Sequence, residues 1–247
     1  MARVLVVDDT PVFAGKIADD LRNGIGADVV EVHQLSELPS ALTTGRFDVA
    51  IVDLSFPFQS PRSGLDALLF LRMRSPDTRC AVLTQGDEFV AEMVRDAWET
   101  LNVDTVLSKT RLAHTESVRS LLAGNVVEPD SDAKLLLPAR RSPDRQLSEY
   151  RRLFPHRGLH RLWSSLIAIR NDVNPKSVAK LTATETEAPL SPNAVANYRQ
   201  LVLSDLERHG LIHPTLIEMA RFARRTRPFL LHAMGTPDML DLQIPTR

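Results

Sequence analysis

The sequence contains a single cysteine, Cys80, among its 247 residues. One cysteine excludes an internal disulfide framework and a zinc site built from several thiolates, and it is typical of a reducing compartment. No apolar run approaches the roughly 18 residues that a membrane-spanning helix needs. The first apolar run, residues 4–7, is too short for a signal peptide and leads directly into acidic residues. We therefore predict a cytoplasmic protein with no membrane partner.

Familiar catalytic motifs are also lacking. The chain contains no G-x-x-x-x-G-K-[ST] phosphate-binding loop and no H-E-x-x-H zinc motif. His156 and His160 lie four residues apart, but Gly158 between them weakens a helix there and no third metal ligand is evident. The chain is therefore predicted not to be an enzyme, and a domain with enzymatic activity in its second half is the alternative class.

Net charge is close to zero, at −1, but the two halves of the chain differ. Residues 1–124 hold 12 Lys and Arg against 18 Asp and Glu, whereas residues 125–247 hold 18 against 13. An acidic half joined to a basic half indicates different partners, and the basic half suits a polyanion.

The first half alternates short runs rich in Val and Ile with amphipathic segments. The pattern predicts strands over 3–7, 27–32, 49–53, 81–84 and 103–107, with helices near 12–23, 35–44, 65–74, 88–99 and 111–123. Strand followed by helix, repeated in this way, predicts an α/β domain with a doubly wound, five-stranded parallel sheet over residues 1–124.

The second half lacks strand patterns. Residues 125–146 mix Pro, Ser, Asp and Arg without a period and are predicted to be a linker. Helical patterns near 147–154, 159–170, 175–182, 192–208 and 214–225 predict a small all-α domain over residues 147–247.

Carboxylates follow two strands that are neighbours in such a sheet. Asp8 and Asp9 follow the first strand, and Asp53 ends the third. Because the carboxyl ends of parallel strands meet at one edge, we expect the three acids to converge. Oxygen ligands of this kind suit Mg²⁺, the cofactor that we predict.

Two further polar residues follow the remaining strands at the same edge. Thr84 ends the fourth strand and Lys109 follows the fifth. A hydroxyl, an ammonium and a metal ion around one carboxylate form a receptor for a phosphoryl group, with Lys109 and the metal neutralising its oxygens. Asp53 is then the nucleophile that becomes an aspartyl phosphate.

This ordered set of residues resembles the receiver domain of two-component response regulators. The resemblance covers residues 1–124 and rests on the acidic pair, Asp53 with Pro57 four residues later, Thr84 and Lys109. It implies a flavodoxin-like fold, phosphorylation of Asp53 by a partner histidine kinase, and Mg²⁺ held by Asp8, Asp9, Asp53 and the backbone carbonyl of Ser55.

The chain departs from the receiver pattern at several positions. Gly64 lies eleven residues after Asp53 instead of about eight, so residues are inserted beside the site. Gln85 replaces a small residue, Thr110 replaces a frequent Pro, and Val106 stands where a switch aromatic often lies, so the aromatic route to the output surface is expected to be absent or altered. Asn102 occupies a frequent Gly position, where Asn tolerates left-handed backbone better than most residues.

A helix over 192–208 carries the informative pattern of the basic half. Val195, Tyr198, Val202 and Leu206 form its core stripe, and the opposite face carries amides able to read base edges in a major groove, with arginines able to reach phosphates. The predicted DNA-binding residues are Asn193, Asn197, Arg199, Gln200, Ser204 and Arg208. A short helix from Pro175 to Leu181 precedes it, as in a helix-turn-helix pair.

This region resembles the helix-turn-helix output domains of transcription regulators over roughly 40 residues, on "LSPNAV" and "LERHGLI". The connection "TATETEAP" is longer than the usual turn and brings Glu185 and Glu187 towards the expected phosphates. Arg221, Arg224, Arg225 and Arg227 form a further run that either contacts phosphates or is a solvated face. We expect a homodimeric response regulator that controls transcription, with a phosphorylation-gated protein-interaction module that binds no DNA as the alternative.

Overall fold

The computed structural model describes residues 1–56, 62–85, 88–110, 114–138, 146–170 and 172–235. These residues divide into two compact units, one that extends to residue 138 and one from residue 146 to 235. No described helix is both long and apolar enough to cross a lipid bilayer.

The first unit is built on a parallel sheet in the order β2-β1-β3-β4-β5. Its strands are β1 (Arg3–Val7), β2 (Asp28–Val32), β3 (Val49–Asp53), β4 (Arg79–Thr84) and β5 (Thr105–Ser108). The helices of this unit are α1 (Pro11–Ile25), α2 (Leu38–Thr43), α3 (Gly64–Arg74), α4 (Glu88–Thr100), α5 (Thr115–Leu122) and α6 (Ser131–Lys134), with a 3₁₀ turn at Leu35–Glu37. The prediction of a doubly wound, five-stranded parallel sheet is confirmed.

Near-continuous Val, Ile, Leu and Ala make the central strands because helices cover both faces of the sheet. Residues 4–7, 49–52 and 81–83 have no exposed surface.

Between the strands, left-handed backbone is needed at Asn102, where φ is 52°. Asparagine adopts that conformation at low cost, as the sequence predicts.

Residues 125–138, predicted to be linker, pack against the first unit. Val127 lies on the hydrophobic core beside α5, and Ala133 of α6 is fully buried. Apolar side chains within the polar stretch explain the difference from the prediction, since their burial favours docking over a solvated chain.

The second unit is helical. After a 3₁₀ segment at Leu147–Leu153 come α7 (Arg157–Ala168), α8 (Pro175–Leu181), α9 (Pro192–Leu201), α10 (Leu203–Arg208), α11 (Leu216–Arg225) and α12 (Arg227–Ala233). Tyr150, Trp163, Phe222 and Phe229 are fully buried and form its aromatic core.

The predicted single helix over 192–208 is wrong at Val202. Its backbone (φ −104°, ψ 1°) leaves helical geometry, and its N–H donates to Arg199 in a tighter turn. The side chain of Val202 is fully buried. We attribute the break to this stiff β-branched side chain, which occupies the core while the chain turns into α10.

Candidate functional site

Three carboxylates meet at the carboxyl edge of the sheet in the first unit. Asp8 and Asp9 follow β1, Asp53 ends β3, and one carboxylate oxygen of each lies within 4.8 Å of the others. Asp8 has no exposed surface and Asp53 is 1% exposed, while Asp9 is half-buried. The register of β1 against β3, with Val7 beside Val52, produces this convergence.

Backbone N–H groups orient two of these acids. Asp8 Oδ1 accepts from the N–H of Thr10 at 2.9 Å, and Asp53 Oδ1 accepts from that of Ser55 at 3.1 Å. Each is the turn that an aspartate forms with the residue two positions on. The local sequence therefore fixes both carboxylates before any partner binds.

A single ammonium holds the two buried acids together. Lys109 Nζ lies 2.6 Å from Asp53 Oδ2 and 3.0 Å from Asp8 Oδ2, and 5.1 Å from the centre of the Phe13 ring. The backbone N–H of Lys109 donates to Thr84 at 2.8 Å, which ties the loop after β5 to the end of β4. One positive charge faces three negative ones.

The ionisation of the cluster reflects this imbalance. Burial raises the pKa of Asp53 to about 6, although its hydrogen bond with Lys109 acts to lower it. Burial and the charge of Asp8 also raise the pKa of Asp9. Burial acts to lower the pKa of Lys109, but the hydrogen bonds and charges of Asp53 and Asp8 together outweigh burial and leave that pKa above its ordinary value.

The cluster fits a hard divalent cation. Its donors are carboxylate oxygens, which Mg²⁺ prefers, and Asp9 is accessible from solvent, which suits an ion that keeps several waters. A divalent ion would also offset the two negative charges that Lys109 leaves uncompensated. Asp8, Asp9 and Asp53 are therefore suited to hold Mg²⁺.

The other predicted residues lie at the same edge. Thr84 is buried at the end of β4, paired in register with Ser108. Ser55 is exposed two residues after Asp53, and the participation of its carbonyl in metal binding stays a prediction.

Gly64 explains how the chain returns to the site after the insertion. A Cβ at this position would lie 2.0 Å from the backbone oxygen of Asp53, so only glycine allows α3 to begin there. Pro57 and most of the inserted "QSPRS" lie outside the described residues.

Sequence reasoning missed a residue at the end of β2. His33 directly follows Val32, and its Nδ1 lies 3.0 Å from the backbone oxygen of Asp8. The backbone N–H of Asp8 itself donates to Val32 at 3.1 Å. The position of His33 immediately after the strand was the available signal, and every strand of the sheet ends beside a polar residue at this edge.

In the second unit, α8 and α9 are the helices predicted to form a helix-turn-helix pair. The side chain of Asn174 caps α8 by accepting two backbone N–H groups, and that of Ser191 caps α9 by accepting one. Val195, Val202 and Leu206 are fully buried, which confirms the core stripe, and half-buried Tyr198 packs across Gly158 of α7.

The predicted DNA-binding residues divide between two helices because the chain breaks at Val202. On α9, three are exposed and Arg199 is half-buried; on α10, both are exposed. The α9 residues are Asn193, Asn197, Arg199 and Gln200, and the α10 residues are Ser204 and Arg208.

An arginine of α7 holds the long connection between α8 and α9. Arg161 pairs with Glu187 at 3.1 Å and donates to the backbone of Thr182 at 2.9 Å. Arg157 pairs with the same glutamate at 3.4 Å. Glu187, expected to oppose phosphates, is thus neutralised by two arginines of its own domain.

Three arginines gather where α7 ends beside α11. Arg224 Nη1 donates to the backbone of Ile169 at 3.1 Å, next to Arg170, and Arg221 precedes Arg224 by one turn. Burial and the charges of the other two lower the pKa of Arg224. None of the three forms an ion pair with a carboxylate among the described residues. Arg227, by contrast, is only 5% exposed, which excludes it from a phosphate-contacting face.

Solved structures of response regulators share this fold. RcsB from Salmonella enterica serovar Typhimurium, bound to promoter rprA with the phosphomimetic BeF₃⁻, is 18% identical; the match covers 90% of this chain and 98% of that chain, with a TM-score of 0.50. The isolated REC domain of RcsB from the same organism is 22% identical (56% and 99% covered, TM-score 0.46). A response regulator of Burkholderia pseudomallei with a phosphorylated aspartic acid and a calcium ion is 27% identical (55% and 71%, TM-score 0.41).

No protein-family model matches the sequence, and no curated protein matches it. At these identities the structural likeness establishes the fold, an α/β domain of receiver type followed by a helical domain.

The raised pKa of Asp53 predicts a pH-dependent stability in metal-free protein. Its folded pKa of about 6 lies above the ordinary value of 3.8, so the folded state holds the proton more tightly than the unfolded state. The stability contributed by this proton is present below about pH 4 and is lost as the pH rises through 6, by on the order of 3 kcal/mol. Asp53→Asn should lack this loss.

Urea unfolding with a chelator at several pH values between about 4 and 7 measures the effect. Exposed Asp77→Asn is the matched control and should follow the wild-type profile. A constant difference between wild type and Asp53→Asn at every pH would contradict the account.

Proposed function

We propose that this chain is a two-component response regulator. Its first domain, residues 1–124, accepts a phosphoryl group on Asp53 from a partner histidine kinase, and its helical domain from residue 147 binds DNA and regulates transcription. The observation that carries the proposal is the contact of one ammonium, Lys109, with both Asp53 and Asp8 at the meeting point of three carboxylates.

The chemistry follows from this geometry. A carboxylate oxygen of Asp53 attacks the phosphorus of a phosphohistidine, the P–N bond breaks as the P–O bond forms, and the imidazole leaves. With a pKa of about 6, Asp53 is mostly ionised at neutral pH and can act as a nucleophile. Lys109 neutralises charge on the transferred group, and Thr84 is proposed to donate a hydrogen bond to it.

Mg²⁺ bound to Asp8, Asp9 and Asp53, and by proposal to the Ser55 carbonyl, would supply further positive charge to the phosphoryl oxygens. The phosphorylated form of Asp53 is reached without a large rearrangement of the site, because the backbone N–H groups of Thr10 and Ser55 already orient the carboxylates of Asp8 and Asp53.

Support for DNA binding comes from the exposed face of α9 and from the arginine cluster. Asn193, Asn197 and Gln200 are exposed amides able to pair with base edges. Arg170, Arg221 and Arg224 supply positive charge without an ion-pair partner among the described residues, which suits backbone phosphates. A homodimer would place two copies of α9 on the two half-sites of a palindromic sequence.

Labelling by a small-molecule phosphodonor with Mg²⁺ tests the first half of the proposal. Wild type and the exposed control Asp77→Asn should incorporate phosphate equally, whereas Asp53→Asn should incorporate none because it lacks the nucleophile. Labelling that persists in Asp53→Asn would refute the assignment of the phosphoacceptor.

Gel-shift titrations of the full chain on genomic DNA fragments at several salt concentrations test the second half. Alanine at Arg170, Arg221 and Arg224 should weaken binding to all sequences. It should also reduce the steepness with which the logarithm of the binding constant falls with the logarithm of the salt concentration, by about one per lost phosphate contact. Alanine at Asn193 and Gln200 should instead reduce sequence preference.

Arg119→Ala in α5, an exposed arginine already paired with Glu116, is the control and should change neither property. Absence of binding by wild type at physiological salt, with and without phosphodonor, would refute the DNA-binding proposal and leave the protein-interaction module.

A further inference from the structure

The free edge of β5 is covered by a segment of the same chain. Among the described residues, β5 pairs with a strand on one side only, β4, so the backbone groups on its other side are not used by the sheet. Residues 126–137, which we call the strap, run along this side after α5. They include α6, whose Ala133 is fully buried.

Asp130 forms the contact between the strap and the strand. Its backbone N–H donates to Val106 at 3.0 Å, and its carboxylate Oδ2 accepts from the N–H of Ser108 at 2.8 Å. One residue thus satisfies two edge groups of β5, and the second bond is made to an ionised acceptor, which is the stronger kind.

Contacts on both sides of Asp130 keep the strap in place. Before it, Val127 packs on the hydrophobic core of the sheet. After it, the backbone oxygen of Leu136 accepts from Arg95 Nε of α4 at 3.0 Å. The strap therefore crosses from the α5 side to the α4 side with Asp130 at the strand between them.

The contact lies one residue from the phosphoacceptor site. Ser108 precedes Lys109, whose ammonium bonds Asp53 at 2.6 Å and whose backbone N–H bonds Thr84. The Ser108 hydroxyl also pairs with that of Thr110 at 2.7 Å. A shift of the Lys109 backbone towards a phosphoryl group on Asp53 would also move the adjacent Ser108 N–H, which donates to Asp130.

Val106 is not suited to carry a signal to the output surface by a change in the position of its side chain. It is fully buried and too small to exchange between inward and outward positions as a large ring could. The backbone edge of the same strand is, in contrast, directly contacted by the strap. The strap is also the stretch of chain that leads to the helical domain.

We propose that the strap is a regulated docking segment that transmits the state of Asp53 to the helical domain. In the unphosphorylated protein it is bound to β5 through Asp130, and phosphorylation weakens that bond. A hydrogen bond aligned for one backbone position loses energy steeply when the donor shifts, so the strap loosens. The inference rests on the proposed function, since it requires a phosphoryl group at Asp53.

Hydrogen exchange of the full chain, with and without BeF₃⁻ and Mg²⁺, tests the coupling. Amides near Asp53 and Lys109 should become protected, while those of Ser108 and residues 128–137 exchange roughly 2- to 10-fold faster, as expected for loss of one hydrogen bond. Protection at the site without any change in the strap would overturn the inference and leave the proposed function intact. No protection at the site would refute the proposed function, and the coupling would fall with it.

Substitutions of Asp130 provide the second arm. In Asp130→Ala, the strap amides should exchange fast even without BeF₃⁻, and its addition should change their exchange rates little. Asp130→Asn retains an oxygen acceptor, so its strap amides should respond to BeF₃⁻ as in wild type. Asp132→Ala, an exposed neighbour in α6, is the matched control. Protection of β1 and β3 amides as in wild type verifies that each variant is folded. A strap in Asp130→Ala that exchanges at the wild-type rate would overturn the inference.

Discussion

The bond between the Lys109 ammonium and the buried carboxylates of Asp53 and Asp8 is the interaction on which the first domain depends. It joins the ends of β1, β3 and β5, and the backbone of the same lysine is tied to β4 through Thr84. A buried charge is tolerated only when it is paired, so the loss of this ammonium would leave two carboxylates without compensation.

The pairing is incomplete, and the incompleteness gives the site its chemistry. One lysine cannot neutralise three acids. The rise in the pKa of Asp53 that burial causes reflects the energetic cost of a charge on this buried carboxylate. A divalent ion would lower that cost, and the positive charge of the ion and of Lys109 would stabilise a phosphoryl group on Asp53 under the proposed function. A similar imbalance of opposite sign occurs in the second domain.

There, three arginines gather without a carboxylate partner among the described residues, while Glu187 in the connection between α8 and α9 is already paired. Like charges that a fold holds close together repel one another, and solvent and mobile ions only screen this repulsion. Each of the two clusters is best satisfied by a ligand of the opposite charge.

Sequence patterns predicted much of this architecture. Runs of Val and Ile predicted the strands, and strand-end positions predicted which acids would meet, because both depend on local alternation and on the parallel topology. The break at Val202 was not predictable in this way, since the helical period continues through it and tertiary packing decides the turn. The role of Asp130 was not predictable from the sequence either, because a stretch that mixes Pro, Ser and Asp is typical of linkers. Its apolar residues have no period that indicates which of them dock, and in the structure Val127 packs on the core and Ala133 is buried.

The central claim is that three carboxylates with one ammonium form a metal-dependent phosphoacceptor site. Its most direct test is calorimetric titration of the full chain with Mg²⁺ near pH 7.5. The account predicts one bound ion per chain, with affinity that falls as the pH drops below about 6 because Asp53 must release its proton first. Absence of binding at millimolar Mg²⁺, or binding that Asp9→Asn and Asp53→Asn leave unchanged, would contradict it.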